Sequence, residues 1–318
     1  MGQLPAVRVT PTRPFKCSGV DYAGPIQLRV SKGRGHRSYK GYICLFVCMA
    51  TRAIHLEVVS DLTSEGFLQA FKRFVARRGH CQEIWSDNGT NFVGASKELA
   101  HLFRTEKCNM VAEVAESLAN NGTTWHFIPS HAPTFGGLWE AGVKSVKYHL
   151  RRVIGNSTLT FEEMSTVLAQ IEACLNSRPL SRLCDDNEHG NILTPGHFLI
   201  GEPPLVAPDL NFESSNISSL RRWQYTQKMV QDFWRRWSSE YLRRFFQSDK
   251  RFSQTTEPNL GDVVIVKEDH LPPCRWMYGR VVAKHPGPDK ITRVVSIKTK
   301  NTVVKRPTNK ICILPVTK

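Results

Sequence analysis

Glu83-Ile84-Trp85-Ser86-Asp87-Asn88-Gly89-Thr90-Asn91-Phe92 decides how the rest of the chain is read. An apolar strand end delivers one carboxylate, Asp87, into a turn of Asn88 and Gly89, a pair suited to positive φ. That sets a negative charge at the carboxyl edge of a sheet, where α/β folds place their chemistry. Taken alone, it is also an ordinary solvated Asp-Asn-Gly turn. Two further acids change its meaning.

Asp21 lies in Ser18-Gly19-Val20-Asp21-Tyr22-Ala23-Gly24-Pro25-Ile26, a strand-like run, and is the one acidic residue between Met1 and His55. A charge in mid-strand is unfavourable unless it faces solvent or a ligand. Glu140 follows Gly136-Gly137 where a helical pattern begins, which places it in the first turn of a helix. Three carboxylates from two strand regions and a helix start form a minimal oxygen cage for divalent metal. Two such ions about 4 Å apart can hold the attacking and leaving oxygens of a phosphodiester. Glu113 and Glu116 compete for the third place, but they sit in an alanine-rich helical run that reads as a solvated face.

The ordered acids within "VDYAGPI", "IWSDNGTNF" and "PSHAPTFGGLWEAGVKSVK" resemble the catalytic core of retroviral and retrotransposon integrases, nearest to the Bel/Pao class of long-terminal-repeat elements. The resemblance continues through "LNSRPL", "LTPGHFLIG", the Trp/Arg-rich stretch after Leu220 and the terminal "GDVVIV…RWMYGRVV…RPTNKICIL". It departs in one place: the stretch from Asn88 to Trp139 is longer than retroviral integrases carry between their second and third acids. The usual N-terminal His/His/Cys/Cys zinc module is also missing from the sequence.

The resemblance implies a divalent-metal-dependent DNA strand transferase. It would process 3′ ends and then join retroelement DNA to target DNA. Asp21, Asp87 and Glu140 would be catalytic and would hold two Mg²⁺ (or Mn²⁺) ions, one between Asp21 and Asp87, the other between Asp21 and Glu140. The implied partners are double-stranded DNA and further copies of the chain, and the implied location is nuclear after cytoplasmic passage. Two other readings stay open: a ribonuclease-H-like nuclease, and a catalytically silent, domesticated DNA-binding protein.

Composition fits a nucleic-acid partner, with 43 Lys+Arg against 28 Asp+Glu, a net charge of +15 and a pI near 9.6. Neutralising phosphates with such a surface releases counterions and makes affinity salt-dependent. No stretch approaches the ~20 apolar residues of a membrane span, and no secretory signal is visible, so the four N-x-Ser/Thr matches read as chance. Nine cysteines without a C-x-x-C argue against a disulfide or zinc framework; Cys44 and Cys48 read as small core residues. No metal role is expected of His126 and His131.

The expected fold is α/β, a ribonuclease-H-like mixed five-stranded sheet with helices, followed by a linker helix and a small all-β barrel. Residues 1–15 read as an extended arm, 16–202 as the catalytic core and 203–219 as a connector. Residues 220–250 read as a long basic amphipathic helix, and 259–318 as the barrel. Strands are expected at Cys17–Leu28, Tyr39–Met49, Ala53–Val59, Gln82–Ser86 and Thr124–Ile128, with a basic hairpin at Lys32–Arg37. Helices are expected from Thr63 to Arg78, Val93 to Ala119, Gly137 to Ile154 and Phe161 to Asn176.

Lys144 and Lys147 fall four and seven residues after Glu140, on one helical face, where DNA-holding cations belong; Arg151 extends the track. In the long helix Trp223, Val230, Trp234, Trp237, Tyr241 and Phe245 mark an apolar face, with Arg221, Lys228 and Arg235 as a basic stripe. The resemblance implies that the barrel is a non-specific DNA-binding module, with Lys267, Arg275, Arg280, Lys284, Arg293 and Arg306 as candidates for phosphate contacts. Its core is small enough that docking on neighbouring elements is expected.

Overall fold

The computed structural model describes residues 6–33, 35, 37–109, 122–128, 133–182, 192–248, 257–268 and 270–314, with residues 6–7, 102–109, 133–143, 182 and 244–248 described by their backbone. The chain divides into two compact units, Met1–Glu172 and Ala173–Lys318. Residues 173–202, read above with the catalytic core, fall in the second.

The first unit is built on a sheet of β1 (Cys17–Arg29), β2 (Ser38–Cys48), β3 (Ile54–Val59), β4 (Glu83–Ser86) and β5 (Thr124–Phe127), in the order β3-β2-β1-β4-β5. The first three strands pair antiparallel, and β4 and β5 join parallel. This is the mixed sheet expected of a ribonuclease-H-like fold. β2 occupies one edge of β1 along nearly its whole length. β4 therefore pairs on the other edge at Cys17–Gly19, and the short β6 (Leu159–Thr160) takes the same edge at Leu28–Arg29. Between them, from Val20 to Gln27, no described strand covers that edge of β1. A β-bulge between Ala23 and Ile26 bends this exposed length. Gly24 makes the bend possible, with φ +145° and no room for a Cβ, which would lie 2.8 Å from the Tyr42 ring.

β3 is buried along its whole length, and α1 (Ser64–Arg78) packs beside it. Thr63 caps α1 by accepting from the Gly66 amide at 3.0 Å. Phe67, Phe71 and Phe74 turn inward, and Phe74 stacks on Phe46 with ring centroids 4.1 Å apart. The N-terminal arm is less extended than its prolines suggest: Ala6–Val9 forms a helical turn, and Phe15 is fully buried edge-on against Phe74.

Two helices begin earlier than their apolar periodicity indicates. α2 spans Thr90–Asn109, so it starts directly after Gly89, whose carbonyl accepts from the Val93 amide at 3.0 Å. α3 spans Pro133–Ile154. Proline's fixed φ suits a first helical position, and the helix runs on through Gly136-Gly137. Glu140 is therefore not in the first turn but two turns in, and the paired glycines are helical rather than a loop. Glu113 and Glu116 lie outside the described residues. α4 (Phe161–Asn176) buries Met164, Val167, Leu168 and Ile171.

The second unit contains the short hairpin β7 (Ser181–Arg182) and β8 (Ile192–Leu193), α5 (Pro195–Ile200) and the long α6 (Arg222–Ser248). Then come β9 (Val263–Val266), β10 (Met277–Pro286), β11 (Thr292–Lys298), β12 (Val303–Pro307) and β13 (Ile311–Ile313). These five form a separate antiparallel sheet in the order β12-β11-β10-β9-β13. β9, Val263-Val264-Ile265-Val266, is wholly buried because both its faces are used. Val264 and Val266 pack with Val281, Val295 and Ile297 inside the sheet's own curve. Val263 and Ile265 pack with Ile192 and Leu242 of α6. The small sheet thus completes its second core face with Ile192 of β8 and Leu242 of α6, as its size requires.

α6 buries Met229, Val230, Phe233, Trp234 and Trp237. Trp276 meets Trp234 edge-on at 4.8 Å and donates its indole N–H to Ser177 Oγ at 3.1 Å. Two sequence expectations fail here. Trp223 is 62% exposed, because it lies in the first turn, ahead of the packed stretch. Lys228 is no part of a solvent stripe: it is buried, and its ammonium donates to the carbonyls of Phe212 (3.0 Å) and Glu213 (2.8 Å). The connector explains this, since it lies along the helix: Gln231 accepts from the Phe212 amide and donates to the Leu210 carbonyl.

Candidate active site

The site is assembled where β1 and β4 part. Their parallel register ends at Gly19 opposite Trp85, and Asp21 and Asp87 each lie two residues further on. Adjacent strands run about 4.8 Å apart, so residues at matching positions just past a shared end start from neighbouring points on the sheet edge.

Asp87 is exposed, and its backbone is held from beneath. The buried Ser86 hydroxyl accepts from the Trp125 indole at 2.9 Å and donates to the Asp87 carbonyl at 2.8 Å. Asn88 Nδ2 donates to the Ile128 carbonyl at 3.1 Å, which ties the turn to β5. Asp87 Oδ1 accepts from the Gly89 amide at 3.0 Å. Neither Asn88 nor Gly89 takes a positive φ. Helix α2 begins at once, so the turn is an aspartate-closed helix entry rather than a left-handed one.

Asp21 is half-buried and both its oxygens are engaged. Oδ1 accepts from the Tyr22 amide, and Oδ2 receives Lys147 Nζ at 2.6 Å. Tyr22 is anchored by a stack on Phe92 of α2, with ring centroids 5.3 Å apart. Burial pushes its phenol far above its ordinary pKa, so it stays neutral. Lys147 projects from α3, whose Val146, Leu150 and Ile154 are buried. Lys144 and Arg151 are exposed. Glu140 stands seven residues before Lys147, on the same stripe of the helix. Its side chain lies outside the described residues. Among the described residues, no group of three His, Cys, Asp or Glu side chains forms a metal cluster.

The chemistry of this donor set suits a hard divalent cation. Asp21 and Asp87 offer only oxygen, and Asp21 already holds a cationic nitrogen where such an ion would bind. His126 is used otherwise: it stacks on Trp85 at 4.4 Å, beside Glu83. His131 lies outside the described residues. Seven described cysteines are free and buried, including Cys44 and Cys48.

The basic residues of the terminal sheet are less free than their number suggests. Arg306 pairs with Glu268, and Arg293 with Asp289 at 2.6 Å. Lys284 reaches Glu257 at 3.9 Å, and Arg280 donates to the Gly261 carbonyl at 3.1 Å. Arg275 is exposed beside a cavity of about 210 Å³ that Asp209, Glu213, Trp234 and His270 also line, and Lys267 is half-exposed.

One feature carried no signal in the sequence. Buried His55 lies between Glu57 (3.1 Å) and Glu172 (3.1 Å), and Arg73, Arg77 and Arg78 close on the two glutamates. It joins β3, α1 and α4, residues far apart in the chain. Burial lowers the imidazole pKa, but the hydrogen bonds to Glu172 and Glu57 outweigh it and the net shift is upward. The network braces the sheet edge opposite the site.

Residues 221–314 match a protein family described as a family of unknown function (DUF5641). No curated protein matches the chain. Among solved structures, the chain is similar to one in the simian T-cell lymphotropic virus intasome in complex with PP2A regulatory subunit B56 gamma. That alignment has a TM-score of 0.37 and 10% identity, and covers 100% of this chain and 85% of that one. It carries no functional argument. No described helix is long and apolar enough to cross a membrane.

Proposed function

We propose that the chain is an integrase-type polynucleotidyl transferase of a retroelement, of the Bel/Pao class that its motifs resemble, joining element ends to target DNA. One observation carries the reading: Asp21 and Asp87 stand at matching positions past the shared end of β1 and β4, under a helix that bears Glu140 and Lys147. Asp21, Asp87 and Glu140 would hold Mg²⁺ or Mn²⁺. When bound, a pair of such ions supplies the Lewis acidity that activates an attacking oxygen and stabilises a leaving one.

The chain's own residues do the rest. The Ser86–Trp125 hydrogen bond fixes the height of Asp87 above the sheet end. Tyr22, locked on Phe92, fixes that of Asp21. From Val20 to Gln27 no described strand pairs with that edge of β1, which is where a phosphodiester beside the carboxylates would lie. Lys144 and Arg151 present charge to flanking phosphates, while Arg275 and Lys267 do so on the terminal sheet. Contacts of this kind position DNA without reading its sequence. Such a transferase works in the nucleus on double-stranded DNA, with two ends held by more than one copy of the chain.

The test is an oligonucleotide assay with the purified chain and Mn²⁺ or Mg²⁺. Metal-dependent joining of a donor 3′ end to a second duplex, absent in Asp87→Asn, is the expected result. Cleavage without joining would make the protein a nuclease. DNA binding with neither reaction would make it a silent binder.

A further inference from the structure

We infer that Lys147 is a gate on the metal site, exchanging Asp21 for a DNA phosphate, so that cation and DNA bind cooperatively. The inference rests on the proposed carboxylate site. Its observation is the 2.6 Å ion pair from Lys147 Nζ to Asp21 Oδ2, with Asp21 Oδ1 taken by the Tyr22 amide. A ligating carboxylate oxygen lies about 2.0–2.1 Å from Mg²⁺. An ammonium 2.6 Å from the same oxygen, where a dication would bind, would suffer strong like-charge repulsion. The ion pair therefore weakens cation binding at this oxygen, and a bound cation weakens the ion pair.

Lys147 has the means to leave. Its side chain is about one-third exposed, on a flexible stem, and it projects from the helix that also presents Lys144 and Arg151 to solvent. A phosphate beside the strand-unpaired stretch of β1 gives the ammonium a new partner and frees Asp21 Oδ2 for the cation. Without that phosphate, the cation competes with Lys147. Linkage makes the effect reciprocal: whatever DNA does for cation affinity, the cation does for DNA affinity. The chain would then assemble its metal site chiefly on its substrate, which limits idle hydrolysis.

The experiment measures free Mn²⁺ by electron paramagnetic resonance against the full chain, with and without a mixed-sequence DNA duplex. Lys147→Met keeps the apolar stem and removes the charge; Lys147→Gln serves if that variant fails to fold. Without DNA, the variant should bind Mn²⁺ about two- to fivefold more tightly than the natural chain, the range set by partly exposed ion pairs. DNA should tighten Mn²⁺ binding to the natural chain and have a smaller effect on the variant. Equal or weaker Mn²⁺ binding by both variants without DNA would overturn the gate. Asp21→Asn separates the two ideas: if it loses Mn²⁺ binding while the lysine variants match the natural chain, the metal site stands and the gate alone falls. If it binds Mn²⁺ as well as the natural chain, both fall.

Discussion

Asp21 and Asp87 each lie two residues beyond the Gly19–Trp85 pair, the last rung of the parallel ladder between β1 and β4. The two aspartates hold matching positions because two strands of different sequence stop pairing at the same rung.

Asp21→Asn, Asp87→Asn and Glu140→Gln should each keep the fold, and the last two their metal-free DNA affinity, but all three should lower metal-dependent joining by about 10²-fold or more, the loss typical when a charge-stabilising group is removed from a transition state. Asp21→Asn also breaks a half-exposed ion pair, which costs at most about 1 kcal/mol of stability. Glu113→Gln and Glu116→Gln should leave joining unchanged. Single-turnover assays beside thermal melts check all five; a normal rate in Glu140→Gln would remove it from the site.

Ser86→Ala should harm both stability and rate. The hydroxyl bridges the Trp125 indole and the Asp87 carbonyl, and losing it leaves a donor under the sheet end without its acceptor. The expected cost is about 1–3 kcal/mol. Urea unfolding measures the first effect. The joining rate should fall further than the metal-free DNA affinity, because Asp87 loses its fixed height; an unchanged rate would show that the turn holds itself.

His55 should make stability fall as pH rises. Its folded pKa is raised, so its contribution is complete below the ordinary histidine value, about 6.5, and is lost as pH climbs through the folded value. Glu57 behaves oppositely: burial opposes its ionisation, but bonds to His55 and Arg73 win and lower its pKa. Its contribution is therefore present above the usual carboxylate value and lost as pH falls through the folded one. Denaturation from pH 6 to 9 should show falling stability in the natural chain and a flatter profile in His55→Gln, at a cost of about 3–5 kcal/mol near pH 6 for breaking the buried pair.

Arg275→Glu should weaken DNA binding evenly across sequences and lower the slope of log affinity against log salt by about 1. Arg306→Glu should act differently, since Arg306 is already held by Glu268 and its loss disturbs the sheet first. Fluorescence anisotropy at several salt concentrations, with melts of both variants, separates the two. Truncating the whole terminal sheet would be a poor substitute, because it uncovers Leu242 and Ile192.

What the sequence determined by itself is the local order. The succession of strands and helices in the first unit and the all-β character of the terminal module were legible because alternation, capping and β-branched stretches act between near neighbours in the chain. The helix starts were not: Pro133 and Thr90 begin helices whose first turns carry no amphipathic signal, so Glu140 was placed about one turn too near its helix start. The tertiary structure alone decided the rest. Lys228 looked like one of a basic stripe until the connector's carbonyls closed over it, and the barrel's arginines looked free until their carboxylates were in place. Lys147 met Asp21, and His55 met Glu172, across more than a hundred residues each. Charge in a sequence shows which residues seek partners; only the fold fixes their distances, and an ion pair depends on distance.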